Sequence, residues 1–386
     1  MFRKCAINLF FNVNYPEGPD RQIRFETDGC TAFRHLTRKF ATMKLTPRLL
    51  LFVTAMLALY SCVDPIPFDS GEGQEYLVVE ANITNEPGSH IVKLSTTNSF
   101  NSFVNIAPDI IRDADIAITD DLGNEVSLEE TAQPGVYVTP PSFRGETGRT
   151  YILHIRTRNG KEYRSTPETL NPVPDIDSLY FETVEADFNA LGDSTISGEG
   201  GIKIYGDIQD PPGINNYYRW SWQGTYKVVV GCLNCINTCW VSESNSDNIY
   251  LSNDEFRDGQ VIKKQEAQLI PLGFRGPYGY TSLISLYSLS EQAYQFYDAL
   301  NEQRSSRGSL TDPPPVILQG NIEPVSDRDE KVYGLFTASA VTQKRITIAP
   351  DQIDYNYSTS YPDTTSCLVF PNSTDVCPDY WTLSCF

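Results

Sequence analysis

Six cysteines fall in two clusters whose spacing is compatible with disulfide, metal or redox chemistry. The clusters are Cys232, Cys235 and Cys239 in the middle of the chain, and Cys367, Cys377 and Cys385 near its end. An even number of cysteines in an exported protein predicts disulfides. We expect three, most economically joining the central cluster to the C-terminal one, although six cysteines allow 15 pairings.

Metal and redox chemistry are the alternatives for the Cys232-x-x-Cys235-x-x-x-Cys239 spacing. Zinc sites usually pair two such motifs or add histidine, whereas residues 62–386 contain only His90 and His154, both expected in strands. A redox pair needs a helix N-terminus to lower the pKa of one thiol, but the flanking valines and tryptophan favour strands. We therefore predict no metal and no cofactor.

Catalysis has few candidate groups. Two histidines leave few ways to build a Ser-His-Asp arrangement, so paired carboxylates are the remaining option for general acid–base chemistry. The candidates are Asp207 with Asp210, Asp254 with Glu255, and Asp327 with Asp329 and Glu330. Each pair lies in a turn-like context, where solvated acidic residues are common. We predict no catalytic residue, and a protein that is not an enzyme.

Residues 43–62, MKLTPRLLLFVTAMLALYSC, have the pattern of an export signal. Lys44 and Arg48 precede twelve nearly continuous apolar residues, a run too short to span a bilayer. The segment ends at Cys62 and resembles the lipobox of bacterial lipoproteins. That resemblance implies that residues 43–61 are removed and that Cys62 carries a diacylglycerol on sulfur and an acyl chain such as palmitate on its amine. An ordinary secreted protein with Cys62 in a disulfide is the alternative.

Residues 1–42 precede this signal and are polar and basic. Their simplest explanation is an upstream start codon, with Met43 as the true first residue, and a basic targeting arm is the alternative. Residues 62–74 would then form the tether between lipid and fold.

Charge excludes one class of partner. Residues 1–61 contain nine of the 30 basic and four of the 49 acidic residues, so the remainder carries 21 basic and 45 acidic residues and a net charge of −24. Such a surface repels nucleic acid and anionic headgroups. We therefore predict no nucleic-acid partner, and attachment to the outer membrane through the lipid at Cys62.

The fold class is predicted as all-β: an N-terminal Ig-like β-sandwich followed by a larger β-rich domain with one helix. Seven short strands separated by turn residues are expected within 75–170. They are residues 76–83, 91–95, 115–118, 126–128, 136–138, 151–156 and 162–165. Residues 171–177, with Pro172 and Pro174, are the predicted linker.

The second domain is predicted over 178–386, with a cysteine-stapled tail. Strands are expected at residues 178–184, 202–208, 217–230, 261–272, 280–288 and 332–347. One helix is expected, because Ser288 and Glu291 form a capping box and an apolar stripe follows through about Arg304. We interpret its aromatic residues mainly as packing against the sheet.

Tyr218, Trp220 and Trp222 share one face of the strand predicted over 217–230. They are the candidate ligand contacts. Because aromatic side chains bury large areas, a core position is the alternative that we favour.

Several segments together resemble one family. They include EYLVVEANIT, IDSLYFE, SLSEQAYQFYDALNEQ, PPPVILQGNI and YGLFTASAV. Their order is similar to that of the Bacteroidetes cell-envelope lipoproteins grouped as domain of unknown function 4249, over nearly all of residues 62–386. The family is usually found beside TonB-dependent outer-membrane transporters. The resemblance implies a lipid-anchored outer-membrane accessory protein, on the cell surface or the periplasmic face, that assists ligand capture. A structural or adhesive envelope protein is the alternative.

Overall fold

Alternation of apolar and polar residues produces β-strands over more than half of the residues that the structure describes. The computed structural model describes residues 75–97, 109–187, 199–232, 235–244, 248–272, 275–305, 318, 320–353 and 366–385. In the first strand, Leu77, Val79, Ala81 and Ile83 point into the core and the intervening residues point outward, as the two-residue period of a strand requires.

The described strands number 20 and are labelled in chain order. The first ten are β1 Leu77–Thr84, β2 Ile91–Thr96, β3 Asp115–Asp120, β4 Glu125–Ser127, β5 Glu129–Glu130, β6 Val136–Val138, β7 Thr150–Arg156, β8 Glu162–Ser165, β9 Glu168–Thr169 and β10 Ile176–Asp187. The others are β11 Glu199–Gln209, β12 Tyr217–Cys232, β13 Cys235–Ser244, β14 Tyr250–Asn253, β15 Val261–Pro271, β16 Tyr280–Leu289, β17 Ile322–Pro324, β18 Val332–Ser339, β19 Val341–Ile348 and β20 Ser373–Thr374. Helix α1 is Glu291–Ser305, and short 3-10 helices lie at Pro350–Gln352 and Cys367–Val369.

Two sheets form the predicted N-terminal β-sandwich. Sheet A has the order β18-β1-β2-β6-β5, and sheet B has the order β17-β8-β7-β3-β4, with β9 beside β7. Their inner faces share one apolar core that includes Val79, Tyr137, Leu153 and Phe336. Burial of these side chains supplies the main stabilisation of the sandwich.

The sandwich also contains strands from the later part of the chain. β18 pairs in parallel with β1 along its whole length, from Leu77 opposite Val332 to Thr84 opposite Ser339. β17 pairs with β8. The sandwich predicted over 75–170 is therefore completed by residues 322–339, and the predicted boundary at 171–177 does not separate the two sets of strands.

The larger β-rich region has two further sheets packed around a second core. Sheet C has the order β10-β11-β15, and sheet D has the order β19-β16-β12-β13-β20, with β14 beside β12. Ile204, Trp220 and Ile284 are completely buried between these sheets. The predicted all-β class is thus confirmed. The strand predicted over 332–347 is two strands, because the chain turns at Ala340 and moves from sheet A to sheet D.

The N-cap residue of helix α1 is Ser290, two residues later than the predicted N-cap Ser288. The hydroxyl of Ser290, not Ser288, accepts a 3.1 Å hydrogen bond from the backbone N–H of Ala293, as an N-cap does. Ser288 instead donates to the carbonyl of Asn171 and accepts from the N–H of Ala340. Ser288 therefore ties the predicted linker to the turn between β18 and β19. Among the described helices, none has the length and apolar character needed to cross a bilayer.

Candidate functional site

A large apolar groove lies between helix α1 and the outer face of sheet A. Its volume is about 600 Å³, which lies within the range typical of ligand sites. β1, β2 and β18 form its floor, and α1 forms one wall. The main lining side chains are Val78, Glu80, Asn82, Ile91, Lys93, Phe296, Tyr297, Leu300, Leu318, Tyr333 and Leu335.

Strand register explains why these residues face outward together. Val78 lies opposite Tyr333, and Glu80 lies opposite Leu335. Since side chains alternate between the two faces, the core residues Val79 and Phe336 point the other way. The floor of the groove is therefore the outer face of the sandwich, and it carries the apolar side chains of Val78, Ile91 and Leu335.

Helix α1, which forms the wall of the groove, places its apolar side chains on one side because of the 3.6-residue period of a helix. Ala293, Phe296, Tyr297 and Leu300 lie three or four residues apart and share one side of α1. Ala293 is completely buried against Leu335 and Leu289. This contact holds the helix above β18 and leaves Phe296, Tyr297 and Leu300 over the groove.

The rim of the groove carries one ion pair. Nζ of Lys93 lies 3.5 Å from Oε2 of Glu80, and both side chains are more than half exposed. An exposed pair of this kind contributes little to stability. It places one cationic donor and one anionic acceptor beside an otherwise apolar surface.

Three aspartates form a second cluster on two loops of the β-rich region. At least one carboxylate oxygen of each of Asp210, Asp254 and Asp258 lies within 4.8 Å of the others. Asp210 and Asp254 are buried, whereas Asp258 is exposed. Oxygen ligands in this arrangement are chemically able to hold a divalent cation.

Hydrogen bonds within the protein account for much of this cluster. Tyr218 donates to Oδ1 of Asp210 at 2.7 Å, and the N–H of Gly259 donates to Oδ2 at 3.1 Å. Asn216 donates to both oxygens of Asp254. Burial raises the pKa of Asp210, and the neighbouring charge of Asp254 adds to that rise. The cluster fastens the loop before β12 to the loop after β14.

A model of the family described as domain of unknown function 4249 matches residues 63–345. The chain belongs to this family. The match includes both the groove and the aspartate cluster, and it excludes Cys62 and the three C-terminal cysteines. No curated protein matches the chain.

The predicted ligand contacts Tyr218, Trp220 and Trp222 lie in or against the core between sheets C and D. Tyr218 and Trp220 have no exposed surface, and Trp222 is partly buried against the same cluster of side chains. The indole N–H of Trp220 donates to Ser252 at 3.0 Å. These aromatic residues fill the space between sheets C and D, so the packing interpretation is correct and the proposed ligand contacts are wrong for Tyr218 and Trp220.

Of the six candidate cysteines, the four whose side chains the structure describes form disulfides. Cys239 is bonded to Cys367, and Cys377 is bonded to Cys385. The first bond joins the central cluster to the C-terminal one, as expected. The second lies within the C-terminal cluster, so the expectation that every bond joins the two clusters is wrong. Cys232 and Cys235 lie opposite each other at the ends of β12 and β13, but their side chains lie outside the described residues, as does the lipidation candidate Cys62.

Asp207 and Asp210, the first acidic pair that adjacency in sequence suggested, have different hydrogen-bond partners. Asp207 accepts hydrogen bonds from Ser178, Tyr180 and the N–H of Lys264, and its neighbour Asp210 meets Asp254 instead. Glu330 accepts from Lys161 at 2.8 Å and from Tyr163 at 2.9 Å. The sequence alone did not predict the groove, because its lining residues come from five separate segments of the chain. The available signal was the outward apolar positions of β1 and β18.

Proposed function

We propose that this protein is a lipid-anchored outer-membrane accessory protein that helps a TonB-dependent transporter capture a ligand, without catalysing a reaction on it. The observation that carries the binding part of the proposal is the groove of about 600 Å³ between α1 and sheet A. A protein that only presents its surface does not require an apolar concavity with aromatic walls.

Sequence supports the location. The signal-like segment 43–62 ends at Cys62, and the net charge of −24 beyond residue 61 disfavours electrostatic attachment to anionic headgroups. Several acyl chains hold a protein firmly at a membrane, because each buried methylene contributes about 0.8 kcal/mol. The lipid would therefore keep the groove close to a transporter in the same membrane.

Affinity purification from detergent-solubilised envelopes tests this proposal. We expect the full chain to co-purify with an outer-membrane transporter and to incorporate radiolabelled palmitate. Cys62→Ser should lose the label and leave the membrane fraction. A matched Cys377→Ser variant should remain in that fraction, because Cys377 is bonded to Cys385 and is not part of the signal segment in the sequence.

Three results would contradict parts of the proposal. Recovery of the wild-type chain as a lipoprotein without any transporter would favour the structural or adhesive alternative. Membrane retention of Cys62→Ser would reject lipid anchoring. Turnover of a glycan or peptide by the purified protein would reject the absence of catalysis.

A further inference from the structure

A small polar pocket lies on the outer face of sheet D, and it shares no lining residue with the groove. Its volume is about 230 Å³. Four neighbouring strands each contribute one residue to its floor at directly opposed positions: Arg345 on β19, Leu283 on β16, Gln223 on β12 and Ser244 on β13. Since side chains at paired positions point to the same face, these residues form one row across the sheet.

The C-terminal tail supplies a wall of the pocket. The hydroxyl of Tyr380 lies 3.2 Å from the hydroxyl of Thr225, and Asn372 borders the same space. The guanidinium carbon of Arg345 lies 4.2 Å from the centre of the Tyr380 ring. Arginine stacks favourably on an aromatic face. The tail therefore helps to fix Arg345 beside the amide and hydroxyl groups of the pocket.

Arg345 has no acidic partner in the part of the chain that the structure describes. None of the ion pairs there includes it. Burial lowers the pKa of Arg345, although an arginine in a protein stays protonated. Glu243 also borders the pocket, but its charge is balanced by Arg275, whose Nε lies 2.9 Å from Oε2. An anionic ligand would supply the partner that the half-buried Arg345 lacks.

The charge and shape of the guanidinium select the kind of anion. Its parallel N–H groups match the two oxygens of a carboxylate. A carboxylate carries one negative charge, which equals the one positive charge of Arg345. A phosphate monoester carries about −1.5 to −2 and would leave an excess of negative charge on an already acidic protein. A carboxylate is therefore the better match.

The rest of the pocket favours hydroxyl groups beside that carboxylate. Gln223 and Asn372 offer amide donors and acceptors, and Ser242 and Ser244 offer hydroxyls. A hydrocarbon group would leave these side chains without partners, whereas a hydroxylated one can pair with them. The pocket volume is below the range of about 300–1,000 Å³ that is typical of sites for drug-sized ligands. The ligand must therefore be small.

We propose that this pocket binds a small hydroxylated carboxylate, with the carboxylate on Arg345 and the hydroxyl groups on Gln223, Ser244 and Asn372. A sugar acid with a single ring has this chemistry. The pocket is separate from the groove, so this inference goes beyond the proposed function and does not rest on it.

A ligand-observed NMR titration of the purified full chain with D-glucuronate tests the proposal. D-glucose has the hydroxyl groups without the carboxylate, and inorganic phosphate is the alternative anion. Arg345→Gln removes the charge in the pocket. The matched control is Arg158→Gln, which removes one positive charge from a side chain that is 80% exposed. Circular dichroism verifies that each variant is folded.

We expect D-glucuronate to bind with a Kd of about 1 mM or lower. D-glucose should bind about 10-fold more weakly or worse, because it cannot make the charge-assisted hydrogen bonds to Arg345. Arg345→Gln should weaken glucuronate binding by a similar factor, and Arg158→Gln should leave it unchanged. If Arg345→Gln does not fold, Gln223→Ala replaces it and should weaken binding about 5-fold.

Four results would overturn the proposal. They are the absence of glucuronate binding at about 10 mM, glucuronate binding that the pocket variant does not weaken, glucose binding as tight as that of glucuronate, and binding of phosphate alone. Recovery of a transporter with the full chain is a separate measurement, so the accessory role and the carboxylate site can each fail without the other.

Discussion

The hydroxyl of Tyr218 donates a 2.7 Å hydrogen bond to Oδ1 of Asp210, and both side chains are completely buried. A tyrosine that was a candidate for ligand contact thus serves the interior, where it supports a buried carboxylate at the junction of two loops.

Tyr218→Phe should therefore lower the free energy of unfolding by about 1–3 kcal/mol, because a buried carboxylate oxygen loses its donor. Urea denaturation followed by tryptophan fluorescence at neutral pH measures the change. Tyr333→Phe is the control, since that hydroxyl has no hydrogen-bond partner in the described part of the chain. Equal stability of Tyr218→Phe and the unmodified protein would show that the bond is not important.

Glu168 should make stability depend on pH. Burial raises the pKa of this carboxyl from 4.5 to about 6, despite a hydrogen bond donated by Asn321. The folded state holds the proton of Glu168 more tightly than the unfolded state does. The protonated carboxyl therefore contributes to the free energy of unfolding, and this contribution is fully present below pH 4.5. It is lost as the pH rises through about 6, and the loss is about 2 kcal/mol.

Glu168→Gln should remove this decline, because glutamine does not ionise. Urea denaturation at several pH values between 4 and 8 would compare it with Glu323→Gln, which changes an exposed residue on strand β17 of the same sheet. Parallel stability profiles for the unmodified protein and Glu168→Gln would contradict the prediction.

Gly206 should be intolerant of a side chain because Trp220 packs against its backbone. A Cβ atom at this position would lie 2.6 Å from Cζ3 and 2.7 Å from Cη2 of Trp220. We expect Gly206→Ala to cost about 1–3 kcal/mol through overpacking. Thermal unfolding monitored by circular dichroism provides the measurement.

A double-mutant cycle isolates the cause. Phenylalanine lacks the two ring atoms that clash, so Trp220→Phe should make Gly206→Ala less damaging than it is alone. We expect a coupling energy of about 1 kcal/mol or more. Strict additivity would mean that Gly206→Ala acts through something other than Trp220.

The two disulfides should differ in their contribution to stability. Cys239 and Cys367 are 128 residues apart, whereas Cys377 and Cys385 are separated by eight. A longer closed loop restricts the unfolded chain more. Cys239→Ala with Cys367→Ala should therefore cost about 2–5 kcal/mol, and Cys377→Ala with Cys385→Ala should cost less.

Urea denaturation without reductant compares the two double variants. Each removes both partners of one bond and so avoids a new free thiol. An equal loss in both variants would indicate that local packing of the tail, and not restriction of the unfolded chain, determines the effect.

Local patterns were sufficient for the elements of this fold. The alternation in β1 and β7 and the apolar stripe of α1 depend on residues within a few positions of each other. The sequence alone therefore determined the all-β class, the single predicted helix and the seven strands predicted within the N-terminal sandwich. The expected link between the two cysteine clusters also followed from composition, and Cys239–Cys367 confirms one such bond.

Long-range pairing decided the rest. The local sequence of residues 332–339 does not reveal that β18 pairs in parallel with β1, which lies more than 240 residues away in the chain. This pairing nevertheless creates the floor of the groove and places Thr337 beside Asn82. The meeting of Asp210 with Asp254 likewise depends on how two loops fold together. The sequence by itself determined which residues form strands and which are apolar. Only the tertiary structure decided which faces meet, because burial and register are properties of the assembled sheets and not of any one segment.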